Sequence, residues 1–196
     1  SRTIFGDYVD LLATTRKWNI PKKVDLERAA LACIDPPFRA ESTLAGRYAI
    51  EAEVPFVSID CGPGHVLCRE AAAIIISGEY RDREYPGLEL SELFSEYVEQ
   101  CRGMVVFTVG DAPILYGRRG MPVRKFPPYR VDVVDSAGAG DSFRAGLIYG
   151  MLKKWNDDKI ISYASAVAAM VCERFPGVLR SPSHAEVARF MKAASS

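Results

Sequence analysis

The chain has 196 residues, 48% of them hydrophobic and 26% charged, which supports a sizeable core and argues against disorder. Lys plus Arg equals Asp plus Glu at 25 each, so charge makes no case for a nucleic-acid partner or an anionic membrane surface. No apolar stretch nears the ~20 residues that span a bilayer, and the first ten residues, SRTIFGDYVD, lack the apolar run of a signal peptide.

In chain order the pattern alternates between helix and strand, the mark of an α/β domain with a mainly parallel sheet. Apolar spacing predicts helices over 24–33 (VDLERAALAC) and 41–52 (ESTLAGRYAIEA). Strands are expected at 54–60 (VPFVSID) and 71–77 (AAAIIIS), then an amphipathic helix over 88–101 with Leu90, Leu93, Phe94 and Val98 on one face. A third apolar strand covers 103–110 (GMVVFTVG), and 112–128 reads as a β-hairpin around GRRG. A further strand is predicted at 129–135 (YRVDVVD). Helices follow over 141–155, 157–175 and 181–193, the last capped by Ser183.

Five cysteines (Cys33, Cys61, Cys68, Cys101, Cys172) form an odd, scattered set, which fits reduced thiols in a cytoplasmic protein rather than a disulfide framework. The run CGPGHVLC (61–68) holds Cys61, His65 and Cys68. It reads either as three metal ligands or as a strand-to-helix loop with ordinary thiols, and no partner C-x-x-C accompanies it. His184, near a helix start, is expected to be exposed and without a catalytic partner. The arginines of GRRG (117–120) either meet a phosphate or form a solvated hairpin tip, while Glu79, Asp82, Arg83 and Glu84 read as a solvated face.

The stretch with the most chemistry is VVDSAGAGDSF (133–143). Glycines between a strand and a helix leave backbone N–H groups free at a helix N-terminus, where the dipole also favours an anion. Gly138 and Gly140 would let a phosphate touch the amides of 138–140 directly. A carboxylate at Asp141 would repel a bound phosphate, yet it would suit phosphoryl transfer, where the acceptor hydroxyl must lose its proton. From spacing alone Asp141 is either a helix N-cap or that base. Phe143 stands where a dinucleotide fingerprint needs Gly or Ala, and there is no G-x-x-x-x-G-K-[ST] phosphate loop.

DSAGAGDSF (135–143) closely resembles the signature D-T-x-G-A-G-D-x-F of the ribokinase-like carbohydrate kinases, the PfkB family, with Ser136 keeping the hydroxyl of the usual threonine. In family order, VSIDCGP (57–63) resembles the strand ending in D-x-x-P. FTVG (107–110) resembles the T-x-G element beside the nucleotide, and ASAVAAMVCERFPG (164–177) the alanine-rich helix and glycine flanking the adenine pocket. The resemblance implies a three-layer α/β/α, Rossmann-like (ribokinase-like) domain with a mainly parallel sheet. The N-terminal part and lid of the family domain would be missing, with 1–23 following the lid and 24–196 forming the nucleotide-binding core.

It also implies ATP-dependent transfer of a phosphoryl group to a hydroxyl of a sugar or nucleoside. In that reading Asp141 is the base, and the amides of Gly138, Ala139 and Gly140 form the anion hole. Thr108, Gly110, Asp135, Ser136 and Ser165 lie near the nucleotide. Mg²⁺ bridges the phosphates with help from Glu79, and a monovalent cation such as K⁺ sits by Asp135, Ser136, Arg174, Gly177 and Ser181. Two elements depart from the family pattern: its N-x-x-E appears as SGEY (77–80), and its G-x-x-G appears as GDAP (110–113). The alternative reading is a kinase-derived chain that binds nucleotide or a partner without catalysis. A sheet edge exposed by the missing strands would invite a second copy, hence a homodimer.

Overall fold

In the computed structural model, residues 20–194 are described; most of the 1–23 segment assigned above to the region after the lid therefore lies outside the described residues. Six strands form one mixed sheet whose order follows the chain, β1 to β6. The chain divides into two compact units. One runs up to Ile76 and includes Glu89–Val105; the other comprises Ser77–Leu88 and the chain from Val106 onward.

The first unit is built from strand–helix–strand repeats. A short helix α1 (Lys23–Glu27) precedes β1 (Ala32–Ile34), α2 (Ala40–Glu51), β2 (Phe56–Ile59), α3 (Val66–Arg69), β3 (Ala73–Ser77), α5 (Leu90–Gln100) and the start of β4 (Met104–Thr108). β1 pairs with β2, and β2 with β3, both parallel, with Val57 opposite Cys33 on one side and Ala73 on the other. Strands covered on both faces read as unbroken apolar runs, which is why Ala73–Ile76 carries no alternation. Phe56, Val57, Leu67, Ile74, Ile76, Leu93, Phe94 and Met104 are fully buried here.

Two expectations change in this unit. The helix over 24–33 ends at Glu27, and Ala32–Cys33 belong to β1 instead. The run Ala32–Ile34 is paired with β2, so pairing across the sheet overrides a short helical spacing. On α5, Tyr97 joins the buried face with Leu93 and Phe94, and its hydroxyl donates to the Cys61 carbonyl oxygen at 2.8 Å. A phenol can be buried there because its polar end finds a partner.

The second unit holds α4 (Gly78–Glu84), the rest of β4, the antiparallel hairpin β5 (Ile114–Gly117) and β6 (Arg124–Phe126), and three helices: α6 (Ala139–Leu152), α7 (Asp157–Cys172) and α8 (His184–Ala194). α6 and α7 pack closely because the contact positions are small. A Cβ on Gly146 would lie 2.8 Å from the Ala164 Cα, and one on Gly150 would lie 2.9 Å from Ile160 Cγ1. Ser183 opens α8 as expected. Its Oγ accepts from the Glu186 N–H at 3.3 Å and donates to the Glu186 carboxylate at 2.7 Å, which also takes the Ser183 N–H at 2.8 Å. That is a reciprocal capping box, S-x-x-E.

The strand predicted at 129–135 does not form. Val133 and Val134 are each 64% exposed, and the N–H groups of Val134 and Asp135 both donate to the Cys172 carbonyl at the end of α7, at 2.8 and 3.0 Å. The segment spends these donors on a helix end, which takes it out of the strand ladder.

Candidate active site

Every candidate residue named for the kinase reading lies in the second unit. The loop 135–138 is shaped by its own polar groups. Asp135 Oδ1 accepts from the Ala137 N–H at 2.9 Å, an Asx turn, and the Ala139 N–H donates to the Ser136 carbonyl at 3.2 Å. Gly138 then takes φ +78°, ψ 5° and serves as the N-cap of α6. This left-handed conformation is one that glycine adopts without a Cβ penalty.

The cap position answers one alternative left open by spacing. α6 begins at Ala139, two residues before the expected start, so Asp141 is its third residue and the N-cap is Gly138. A glycine cap supplies no side-chain oxygen, and first-turn N–H groups have no carbonyl four residues back to bond. Of the three amides expected in an anion hole, Ala139's is engaged by the Ser136 carbonyl, which leaves those of Gly138 and Gly140, the latter on the open end of the helix beside that of Asp141. Gly140 is exposed, and the Asp141 side chain is 74% exposed. Arg144, one turn on, donates from Nη2 to Asp141 Oδ1 at 3.1 Å. The motif did not include Arg144, although a D-x-x-R spacing on one helix face signals such a pair.

Thr108 is half-buried at the end of β4, and Gly110 follows at φ +55° in an exposed turn. α4 starts against this strand end: a Cβ on Gly78 would stand 3.4 Å from the Val109 Cα and 3.6 Å from the Thr108 carbonyl oxygen. The departure SGEY therefore starts beside the T-V-G element. Ser77 caps α4 through its Oγ, accepting from the Tyr80 N–H at 3.1 Å, and Glu79 is exposed in the first turn. Where the family has asparagine, the hydroxyl of Ser77 is thus used as a cap. Ser165 is 4% exposed in the middle of α7.

The five residues assigned to a monovalent cation fall on two stretches brought together at the end of α7, where Asp135 N–H meets the Cys172 carbonyl. Arg174 Nη1 donates to the Arg180 carbonyl at 2.5 Å, its Nη2 donates to Glu186 Oε1 at 3.2 Å, and the Gly177 carbonyl accepts from the Arg180 N–H at 3.0 Å. Gly177 is buried where a Cβ would come within 2.7 Å of the Val171 carbonyl oxygen, so the loop returns tightly past α7. Among the described residues no group of three or more His, Cys, Asp or Glu side chains is arranged to hold a metal. A magnesium ion brought by a nucleotide would fit this donor set by keeping water and phosphate oxygens as ligands, as that ion commonly does.

The remaining polar candidates have structural partners. His65 Nδ1 accepts from the Leu67 N–H at 3.1 Å as the cap of α3. Cys61 and Cys68 are buried, and burial pushes the Cys61 thiol up to about 12, away from the thiolate that binds metals. Arg118, expected at a solvated tip or a phosphate, instead makes a forked contact with Asp157 in the first turn of α7, at 2.7 and 2.9 Å. Beside it Asp158 accepts from the Tyr116 hydroxyl and from Arg124, both at 2.6 Å. His184 is exposed, as expected, and its ring lies 5.3–6.3 Å from Tyr149, Tyr163 and Trp155, with Nδ1 3.2 Å from the Tyr163 hydroxyl.

Residues 88–182 match the sequence model of the pfkB family of carbohydrate kinases. That match covers just under half of the chain. The chain is 49% identical over 72 residues to the 1-phosphofructokinase of Escherichia coli (strain K12), which covers 37% of this chain and 23% of that one. It is 24% identical over 119 residues to the ribokinase of Lactococcus lactis, covering 60% and 38%. The structure superposes on Arabidopsis thaliana ribokinase complexed with ribose and ATP with a TM-score of 0.75 at 18% identity, over 89% of this chain and 60% of that one. The α/β, ribokinase-like fold follows from that likeness. The chain thus spans less than two thirds of each of these pfkB-type proteins. No helix among the described residues is long and apolar enough to cross a membrane.

Proposed function

We propose that the second unit is the nucleotide-side half of an ATP-dependent kinase that phosphorylates a hydroxyl of a sugar, a sugar derivative or a nucleoside. The observation that carries this reading is the conformation of 135–141. A left-handed glycine cap opens a helix with free amides, and a solvent-facing carboxylate stands on its first turn. The helix N-terminus suits the oxygens of the transferring phosphoryl group, because partial positive charge and N–H donors already point at the place where negative charge must be held. Asp141 is then the base that takes the acceptor proton, and the rest of the work is positioning, as phosphoryl transfer requires. Thr108, Gly110, Asp135, Ser136 and Ser165 are assigned to the nucleotide side.

Magnesium, when bound with the nucleotide, supplies charge neutralisation on the phosphates. Glu79, exposed at the start of α4, is the side chain assigned to hold one of its waters. A monovalent cation by Asp135, Ser136, Arg174, Gly177 and Ser181 belongs to the same proposal.

The test is Asp141→Asn, with ATP affinity measured by calorimetry and ATP-dependent phosphorylation measured against sugars, sugar phosphates and nucleosides. ATP affinity is expected to stay at the parent value while transfer falls about 10²–10⁴-fold, the share of a general base. Equal turnover by variant and parent would remove Asp141 from the reaction. ATP binding without transfer to any acceptor would leave nucleotide binding alone as the role of this chain.

A further inference from the structure

Arg144 lies three residues after Asp141 on α6, and helical side chains lean back toward the N-terminus, so its guanidinium sits over the first turn. Its Nη2 donates to Asp141 Oδ1 at 3.1 Å. The two partners are unequal: the Arg144 side chain is 14% exposed and that of Asp141 is 74% exposed. A surface ion pair usually holds little, because two mobile side chains must both be ordered. Here the arginine side chain is already largely out of solvent while the carboxylate is not, and the contact has mainly the short carboxylate left to fix.

We infer that Arg144 is a positioning residue for phosphoryl transfer, resting on the reading of Asp141 as the base. It anchors Oδ1 and so presents Oδ2 as the oxygen that receives the proton. In the step, the acceptor hydroxyl gives its proton to Oδ2 and its oxygen forms a bond to the γ-phosphorus. The bond from that phosphorus to the bridging oxygen breaks, its electron pair leaves with ADP, and Asp141 afterwards returns the proton to water. Arg144 touches none of the reacting atoms. Its effect is on the orientation of a group that must be within hydrogen-bond reach of the hydroxyl.

The experiment compares Arg144→Gln, Arg144→Lys and Asp141→Asn with the parent protein. Arg144→Gln is expected to lower kcat about tenfold to a hundredfold, the scale of a misplaced catalytic group, with KM for ATP unchanged. Arg144→Lys restores most of the rate, since an ammonium can reproduce a contact of one nitrogen to one oxygen. Three-bond couplings from the Asp141 side-chain carboxyl carbon to its backbone nitrogen and carbonyl carbon report χ1 without any turnover. They are expected to show one rotamer in the parent and in Arg144→Lys, and averaging in Arg144→Gln. Averaged couplings in the parent would overturn the inference. So would a parent-like kcat in Arg144→Gln beside an inactive Asp141→Asn, or a raised KM at constant kcat. A fully active Asp141→Asn would instead overturn the base reading, and the couplings would still say whether Arg144 orders that side chain.

Discussion

Gly146→Ala separates two opposed effects whose sizes can be worked out from the α6–α7 contact. The added Cβ would lie 2.8 Å from the Ala164 Cα and 3.3 Å from Val167 Cγ2. Reaching an ordinary 3.4 Å separation needs the helices to part by about 0.6 Å at this point, because the obstructing atom belongs to the backbone and cannot rotate away. Overpacking of this kind costs roughly 1–3 kcal/mol. Replacing a glycine inside a helix returns about 1 kcal/mol, since alanine has less backbone entropy to lose. The clash should win, with a net loss of about 1 kcal/mol read as a lower urea midpoint at constant slope. Gly64→Ala, where nothing lies within 4 Å of the added carbon, is the control without a clash. A Gly146→Ala protein stabilised by the full helix-propensity gain would refute close packing of α6 on α7. It would also refute the account of how α6 is held with Asp141 on its first turn.

Gly138→Ala forces a Cβ onto a residue at φ +78°, with an expected loss of about 1–2 kcal/mol by chemical denaturation. An unchanged midpoint would mean the cap is not left-handed in solution. Ser183→Ala removes the serine hydroxyl from the capping box of α8 and should lower stability by roughly 0.5–2 kcal/mol. The hydrogen bonds from Ser183 hold the Glu186 carboxyl down to about 2, aided by Arg174. A depressed carboxyl stabilises the fold above its unfolded value and loses that contribution as pH falls through its folded value. Stability of the parent should therefore drop between about pH 4.5 and pH 2 more steeply than that of Glu186→Gln. Parallel acid-denaturation curves would refute this.

The long apolar runs were legible without coordinates, because burial on both faces writes itself into Ile74–Ile76 and Val105–Phe107 as uninterrupted hydrophobicity. The same holds for helices α5, α7 and α8, whose apolar spacing and caps are local properties. The helix at 24–33 and the strand at 129–135 failed because partners distant in sequence decided them. β2 claims the backbone of Ala32–Ile34, and the Cys172 carbonyl claims two donors of the 129–135 run.

At the candidate site the divide is similar. Small residues and an acid in DSAGAGDSF announce an anion-binding helix start, since the requirement for missing side chains is itself a sequence property. Whether Asp141 caps that helix could not be read locally, because Gly138, Ala139 and Gly140 are all compatible with several starts. Tertiary packing places the first helical residue at Ala139, by seating Gly146 on Ala164 and tying Asp135 to the end of α7. Sequence alone determined which chemical groups stand at 135–144. Only the folded chain decided that the cap is a glycine, that the carboxylate faces solvent, and that a packed arginine holds one of its oxygens.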